Sequence, residues 1–399
     1  MSTTEQLLIA GGGIGGMAAA FAVARAGWDV RLYERASGFG EFGAGAQLGP
    51  NATRILRAWG MERELTNAAA FPERRQLRNA VTGGELGALE LGARTLAHYG
   101  APHATIHRSD LHLMLCMAAG VQEGVHINLG RELTSYADDG SAVTITTSTG
   151  LQVEGEALLG ADGIFSRVRQ QMLGDGAPRF TGRLAYCAML AQAALPQALR
   201  SAQITEWLGP HLYVVQYPVR CGELMNLVAI VPGQPPADEQ DWDDSANTAN
   251  LQRALGAACT GLRDLIEAAP SASINPHPWL LWPLAGRPPV QGAHQLAQGR
   301  IALLGDAAHP LRPWLAQDAS MAVEDAAELA RALSMTAVDV ATRFKRYALA
   351  RWQRVARVQT HAQRSGQIFH AAGPMRLGRD ASMRLLGERV LDAPWLYGN

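Results

Sequence analysis

Gly11, Gly13 and Gly16 stand in a Gly-x-Gly-x-x-Gly spacing, with Ile14 and Gly15 between the last two, and Glu34 follows 18 residues after Gly16. Glycines so placed do chemistry through what they lack. The first permits a tight turn, the second lets the backbone approach a pyrophosphate, and the third allows a helix to pack closely on a strand. N–H groups at the start of that helix attract phosphates, and an acid at the end of the next strand accepts ribose hydroxyls. The chemistry is that of holding a dinucleotide.

The glycines sit in "LLIAGGGIGGMAAAFAVA", residues 7–24, which has no charged side chain and also invites reading as a membrane span or a secretory leader. A span needs about 20 predominantly apolar residues, and a leader needs a basic segment ahead of it. The residues ahead are "MSTTEQ", with Glu5 and neither Lys nor Arg. The stretch also holds Gly11, Gly12, Gly13, Gly15 and Gly16, each costing about 1 kcal/mol relative to Ala inside a helix. The pattern therefore predicts a buried strand over "LLIA", a turn over "GGGIGG", a small-residue helix ending near Gly27 and a second strand in "DVRLYE" that ends on Glu34. That is a βαβ unit.

The chain has 399 residues, 35 basic against 36 acidic, and a formal net charge of -1 with no long block of either sign. The length allows a large core and suggests more than one domain. The charge balance disfavours nucleic acid and anionic membrane as partners. Cys116, Cys187, Cys221 and Cys259 are far apart and form no C-x-x-C pair, so neither a disulfide framework nor a metal site is expected. A reducing cytoplasm is the default compartment. The prolines and acids of residues 231–250 read as a surface loop.

One fingerprint leaves open whether the dinucleotide carries nicotinamide or flavin. Two further segments bear on this. "ALLGADGIFSRVRQQM", residues 157–172, reads as an apolar strand, a turn with Asp162 and Gly163, and a helix opening near Ser166 and containing Arg169. Residues 299–333 read as a strand "IALL", Asp306 at its carboxyl end, a loop through His309 and Pro313, and a long helix. Helix capping is the plainer use of Asp162 and Asp306 at such turns.

Together the glycine fingerprint with Glu34, the "GADG" at 160–163 and the "GDAAHP" at 305–310 resemble, in that order, the FAD-dependent aromatic hydroxylases, single-component flavoprotein monooxygenases that include salicylate, 3-hydroxybenzoate and 6-hydroxynicotinate hydroxylases. "GAGAQLGPNA" at 43–52, "IHRSDLHLML" at 106–115 and "QYPVR" at 216–220 support it, and the resemblance covers nearly the whole chain. It implies FAD as cofactor, NADH or NADPH and O2 as co-substrates, and hydroxylation of a small phenol or hydroxylated aromatic or heteroaromatic acid through a flavin hydroperoxide. It implies that Glu34 and Arg35 hold the adenosine end, Arg108 the FAD backbone, Asp162 both FAD and the nicotinamide, and Gly305 with Asp306 the ribityl or pyrophosphate portion. Pro313, Gln317, Asp318 and Ala319 fall in the loop beside the ring, Gln47 near the ring or substrate. His309, His211 and Tyr217 are its candidates for handling a phenolic proton. A homodimer is left open. The absence of a second strand-linked fingerprint fits a nicotinamide that visits without a domain of its own.

Two departures stand out. Relatives usually carry a glycine where this chain reads Ala316, Gln317, Asp318, and a carboxylate there either turns to solvent or alters the flavin. Relatives often place an Arg near the Tyr or Trp of the strand "GRLAYCAML", residues 182–190, where Tyr186 is here followed by Cys187 and Ala188. Arg312, Arg220 or His211 would then replace it. Asp318 keeps a non-oxygenating FAD oxidase or reductase as an alternative, and a flavin-binding protein without turnover is a further one.

The expected fold is α/β, a Rossmann-like FAD-binding domain with a β-sheet substrate domain and C-terminal helices. The expected boundaries are 1–72, 101–178 and 286–375 for the first, 73–100 and 179–285 for the second, and 376–399 for a C-terminal helical segment, with alternating strands in "HLYVVQYPV" and "LMNLVAIVP".

Overall fold

The chain breaks where the glycines begin. Gln6–Ala10 is a strand, Gly11 has φ +99°, and the helix Ile14–Ala24 starts three residues on. In this computed structural model residues 5–40, 44–234 and 248–398 are described, so most of the expected surface loop at 231–250 lies outside the described residues. Contacts gather the chain into two compact units, one of residues 1–41, 109–179 and 286–362, the other of 42–108, 180–285 and 363–399.

The first unit is built on a six-stranded sheet in the order Ala297–Gln298, Ile301–Leu303, Ala157–Gly160, Gln6–Ala10, Asp29–Tyr33, Val125–Asn128. All neighbours run parallel except the short first pair. Leu7, Leu8 and Ile9 are fully buried, as expected of a parallel strand covered on both faces. The helix Ile14–Ala24 packs along the helix Asp318–Leu333. Its small residues allow that approach: a Cβ on Gly15 would stand 2.6 Å from Leu304 Cδ2 and 3.5 Å from Ala322 Cβ. An antiparallel sheet of Leu133–Asp138, Val143–Thr147 and Gln152–Gly155 completes the unit's strands.

The second unit holds a seven-stranded sheet in the order Leu280–Gly286, Arg179–Ala191, Leu224–Pro232, Leu212–Val219, Ile204–Gly209, Arg74–Asn79, Glu85–Glu90. One face of its central strands, with Leu184, Tyr186, Leu212, Val214, Leu227 and Ala229, packs on the helices Ala249–Leu255 and Thr260–Ala272. The alternation of side chains along a strand puts Cys187, Met189, Tyr213, Val215, Tyr217, Asn226 and Val228 on the other face.

Residues 42–72, 101–108 and 363–375 group with this sheet, whereas the sequence pattern assigns them to the FAD-binding domain. The reason is local pairing. Gly45–Leu48 pairs antiparallel with Ala104–His107, Ala70 bridges Thr105, Gly45 N donates to Asn226 Oδ1 at 2.7 Å, and Phe369 stacks on Tyr213 with centroids 5.6 Å apart. The helices Gly373–Leu386, Glu388–Leu391 and Pro394–Tyr397 follow. Among the described residues no helix is long and apolar enough to cross a membrane.

Candidate active site

The glycine turn is built as its spacing demands. A Cβ on Gly16 would lie 2.0 Å from Gly11 O, so any side chain there would drive the helix off the turn. Gly13 caps the helix Ile14–Ala24, is exposed, and has no described atom within 4 Å of where its Cβ would stand. The helix start is thus uncrowded on the side of Gly13, and N–H groups at a helix start suit a phosphate. Glu34 ends the second strand: its Oε2 accepts Gly12 N at 2.6 Å and its Oε1 accepts Ala36 N at 2.9 Å. Arg35 beside it is exposed.

Asp162 follows the strand Ala157–Gly160 and does what the plainer reading allows. Its carboxylate accepts Ser166 Oγ at 2.5 Å, Arg167 N at 2.8 Å and Val168 N at 3.2 Å, while Ser166 Oγ accepts Arg169 N at 2.9 Å. Both side chains cap the helix Arg167–Leu173. Burial pushes the Asp162 carboxyl above its ordinary value despite these donors.

From that helix the buried Arg169 reaches the next motif, donating from Nη1 to Ala308 O at 2.5 Å and to Ala307 O at 3.2 Å, and from Nη2 to Asp175 at 2.7 Å. Arg169 thus joins "GADG" to "GDAAHP". Gly305 has φ +59° and Asp306 is half-buried in the turn Gly305–Ala307. His309, 1% exposed, has its Nε2 2.5 Å from Asp325 Oδ2. The same oxygen accepts Gly305 N at 3.1 Å, and Asp325 Oδ1 accepts Arg351 Nε at 2.6 Å. His309 and Arg351 hold the Asp325 carboxyl down at about 2 in spite of its burial. The imidazole proposed from sequence for a phenolic proton thus has its Nε2 engaged by Asp325.

The following loop runs through an exposed Pro313 and the turn Pro313–Leu315 to Ala316, which has φ +48°. Gln317, 1% exposed, caps the helix Asp318–Leu333, whose Ala319 is buried. Asp318 is half-buried at the first helical position, where free N–H groups and the positive end of the helix dipole favour a carboxylate. Local helix chemistry thus favours an acid at this position.

Four predicted site residues belong to the second unit. A Cβ on Gly45 would meet Tyr217 Cε2 at 2.6 Å, its hydroxyl at 3.0 Å and Asn226 Cβ at 3.0 Å, so the two-stranded sheet rests directly on Tyr217 and Asn226. That sheet carries the buried Gln47 opposite Thr105, and Thr105 Oγ1 donates to Pro218 O at 2.5 Å. Arg108 follows directly and opens the helix Arg108–Gly120. Burial pushes the Cys187 thiol up to about 12, and the Arg108 charge works against it. The Arg108 charge is thus felt at Cys187, next to Tyr186 in the strand Arg179–Ala191. His211 is exposed in the two-residue turn after Gly209, with φ +54°. It lies at the hairpin tip, before the strand Leu212–Val219 that carries Tyr217 and away from the buried row.

The family described as "FAD binding domain" matches residues 4–362. The chain is 36% identical to a 3-hydroxybenzoate 6-hydroxylase of Polaromonas naphthalenivorans (strain CJ2), over 98% of its own length and 95% of that protein. It is 35% identical to a 6-hydroxynicotinate 3-monooxygenase of Bordetella bronchiseptica, over 90% and 91% respectively. The chain belongs to the FAD-dependent aromatic hydroxylases. Its fold is also that of Klebsiella pneumoniae HpxO, solved with FAD and uric acid, at a TM-score of 0.84, 24% identity and coverage of 98% of this chain and 96% of the other.

FAD is the cofactor of this hydroxylase, and the residues fit it: the uncrowded helix start at Gly13, the acid at Glu34 and the helix start at Asp318 suit a diphosphate, a ribose and a polar ring edge in turn. Sequence reasoning gave no role to Arg169, Asp325, Arg351 or Asn226. A signal existed only for Arg169, which follows Ser166 by three residues in the quoted motif.

Proposed function

We propose that this hydroxylase acts on a small phenol or a hydroxylated aromatic or heteroaromatic acid, with NADH or NADPH and O2 as co-substrates, as a cytoplasmic homodimer. The substrates printed in the names of its two relatives, 3-hydroxybenzoate and 6-hydroxynicotinate, support that class. The observation that carries the reading is the row on one face of the large sheet: Tyr217 beside a fully buried Asn226, whose Nδ2 has no hydrogen-bond partner among the described residues, with Val215, Val228 and Met189 around it. An aromatic ring finds apolar walls there, and a polar ring substituent finds an unspent donor.

FAD, when bound, takes electrons from the nicotinamide and passes them to oxygen. Gly11, Gly13, Ile14, Gly15 and Gly16 seat its diphosphate, and Glu34 with Arg35 its adenosine end. Arg108, Gly305, Asp306 and Asp162 serve its chain, and Pro313, Gln317, Asp318 and Ala319 its ring edge. Gln47 orients the substrate hydroxyl, and Tyr217, the candidate that lies in this row, handles its proton; His211 stands at the hairpin tip. A ring that has lost its phenolic proton is the more electron-rich partner for oxygen transfer. His309 positions the loop through Asp325.

The test is NAD(P)H oxidation by the FAD-loaded protein across hydroxybenzoates, hydroxypyridine carboxylates and simple phenols, quantifying hydroxylated product and H2O2 together. Product in proportion to reductant supports the proposal. Reductant consumed with H2O2 alone, both in the wild type and in Asp318→Gly, overturns the substrate class; product appearing only in Asp318→Gly shows that the acid has redirected the flavin. Equilibrium sedimentation reads the dimer as twice the chain mass.

A further inference from the structure

The glycine turn needs more than glycines: something must hold its peptide groups in one orientation. Gly12 is gripped on both sides. Its N–H donates to Glu34 Oε2 at 2.6 Å, and its carbonyl oxygen lies 2.6 Å from Nε2 of His112, a residue of the helix Arg108–Gly120. A carbonyl oxygen only accepts, so His112 carries its proton on Nε2. Its other nitrogen, Nδ1, faces Cys116 Sγ at 3.5 Å, one helical turn on, and Phe39 meets the ring edge-on with centroids 4.7 Å apart.

We propose that His112 is a positioning residue for FAD, acting on the diphosphate through the Gly12–Gly13 peptide. A trans peptide is planar, and its C=O and N–H point in opposite directions. Fixing Gly12 O on His112 therefore aims Gly13 N–H away from His112, from the end of the helix that Gly13 caps. Gly13 is the glycine of the turn with no described atom within 4 Å of its Cβ direction, so there is room for a ligand beside this donor. Glu34 fixes the preceding peptide, and the two side chains together prevent the turn from flipping when no phosphate is bound. The proposal rests on FAD as the bound group and adds a residue to its recognition.

The test uses the holoenzyme, with free flavin fluorescence read on dilution to give the FAD dissociation constant. His112→Phe keeps the ring packing against Phe39 and loses the donor; His112→Gln keeps a donor at similar reach. The constant is expected to rise about 5–10-fold in His112→Phe, the worth of one hydrogen bond, and to stay within about 2-fold of wild type in His112→Gln. In a displacement arm, ADP should compete with FAD as in wild type, since both carry the diphosphate and weaken alike, while adenosine, which has none, should displace FAD about 5–10-fold more readily from His112→Phe. Equal constants in all three proteins, or full retention in Phe with loss in Gln, would overturn the proposal in favour of packing. A wild-type protein that holds no FAD would instead sink the cofactor reading itself.

Discussion

In the first unit Glu34 and Asp162 spend their charges on Gly12 N and Arg167 N, and Arg169 divides its guanidinium between Ala308 O and Asp175. In the second unit the buried charges spend themselves on one another. Arg75 Nε donates to Glu206 Oε1 at 2.6 Å, Tyr213 donates to Glu206 Oε2 at 3.0 Å, and Asn79 Nδ2 donates to Asp380 at 2.6 Å. Asp325 does both, holding Gly305 N as well as Arg351. The difference follows from what each unit must fix. Loops that meet a cofactor carry free N–H and C=O groups and need side chains to orient them. A sheet whose ladder already satisfies its backbone needs its buried side chains paired among themselves.

The largest expected effect breaks this comparison at Asp325. Asp325→Ala takes the partner from His309 Nε2 and Gly305 N–H and one of two carboxylates from Arg351, which keeps Glu324, and is expected to cost about 3 kcal/mol. Glu206→Ala in the other unit strands Arg75 and is expected to cost a similar amount. Urea denaturation reads both. Flavin retained per folded molecule separates them, falling in Asp325→Ala and holding in Glu206→Ala; equal flavin loss in both would contradict the division of labour.

Acid should part the units next. His103 is buried, and desolvation together with the Arg75 charge lowers its pKa from 6.5 to about 3; desolvation, with nearby cations, also lowers that of His370 to about 3. A lowered histidine pKa means that the unfolded chain takes up the proton first, so this stability is whole above about pH 6.5 and drains as pH falls toward 3. At pH 5 each such histidine has given up about 2 kcal/mol. Asp325, lowered from 3.8 to about 2, keeps its contribution until pH falls below about 4. Urea midpoints between pH 7 and pH 3 check this: His103→Phe should flatten the limb above pH 4 and leave the steeper fall below it.

The smallest effect sharpens the picture of the flavin loop. Ala316 adopts a left-handed conformation at φ +48°, which costs an alanine about 1–2 kcal/mol. Ala316→Gly relieves it and frees the unfolded chain by about 0.4–1 kcal/mol. A net gain of about 0.5 kcal/mol in urea denaturation is expected, and a loss would place another restraint on this turn.

Legibility in the sequence followed the range of each contact. The turn at Gly11, the acid at Glu34, the strand register and the Ser166 cap lie within short runs, and their spacing is their mechanism. Asp162 was legible as a residue that matters, while its present use, capping its own helix, is the plainer of its two readings. The Asp325 partner of His309 is not legible, because it lies 16 residues on in a helix whose inward face no motif marks. Arg75 and Glu206 are 131 residues apart on adjacent parallel strands, and no local pattern relates them. The boundaries at 72 and 101 were drawn on chain continuity, whereas strand pairing between Gly45–Leu48 and Ala104–His107 regroups those segments.

Each unit is threaded from three separate stretches of chain, and this bears on how the protein is made. The strand Gln6–Ala10 leaves the ribosome on the order of 150 residues ahead of its parallel neighbour Ala157–Gly160, and Ile301–Leu303 comes later still. At about 5–20 residues per second its unpaired edge waits on the order of ten seconds or more. "LLIA" is apolar and uncharged, the composition that invites wrong pairing at an open edge. A nascent chain stalled before residue 157 would therefore present a ready client for chaperones, and the glycines directly after that strand, poor formers of extended structure, shorten what such an edge can recruit.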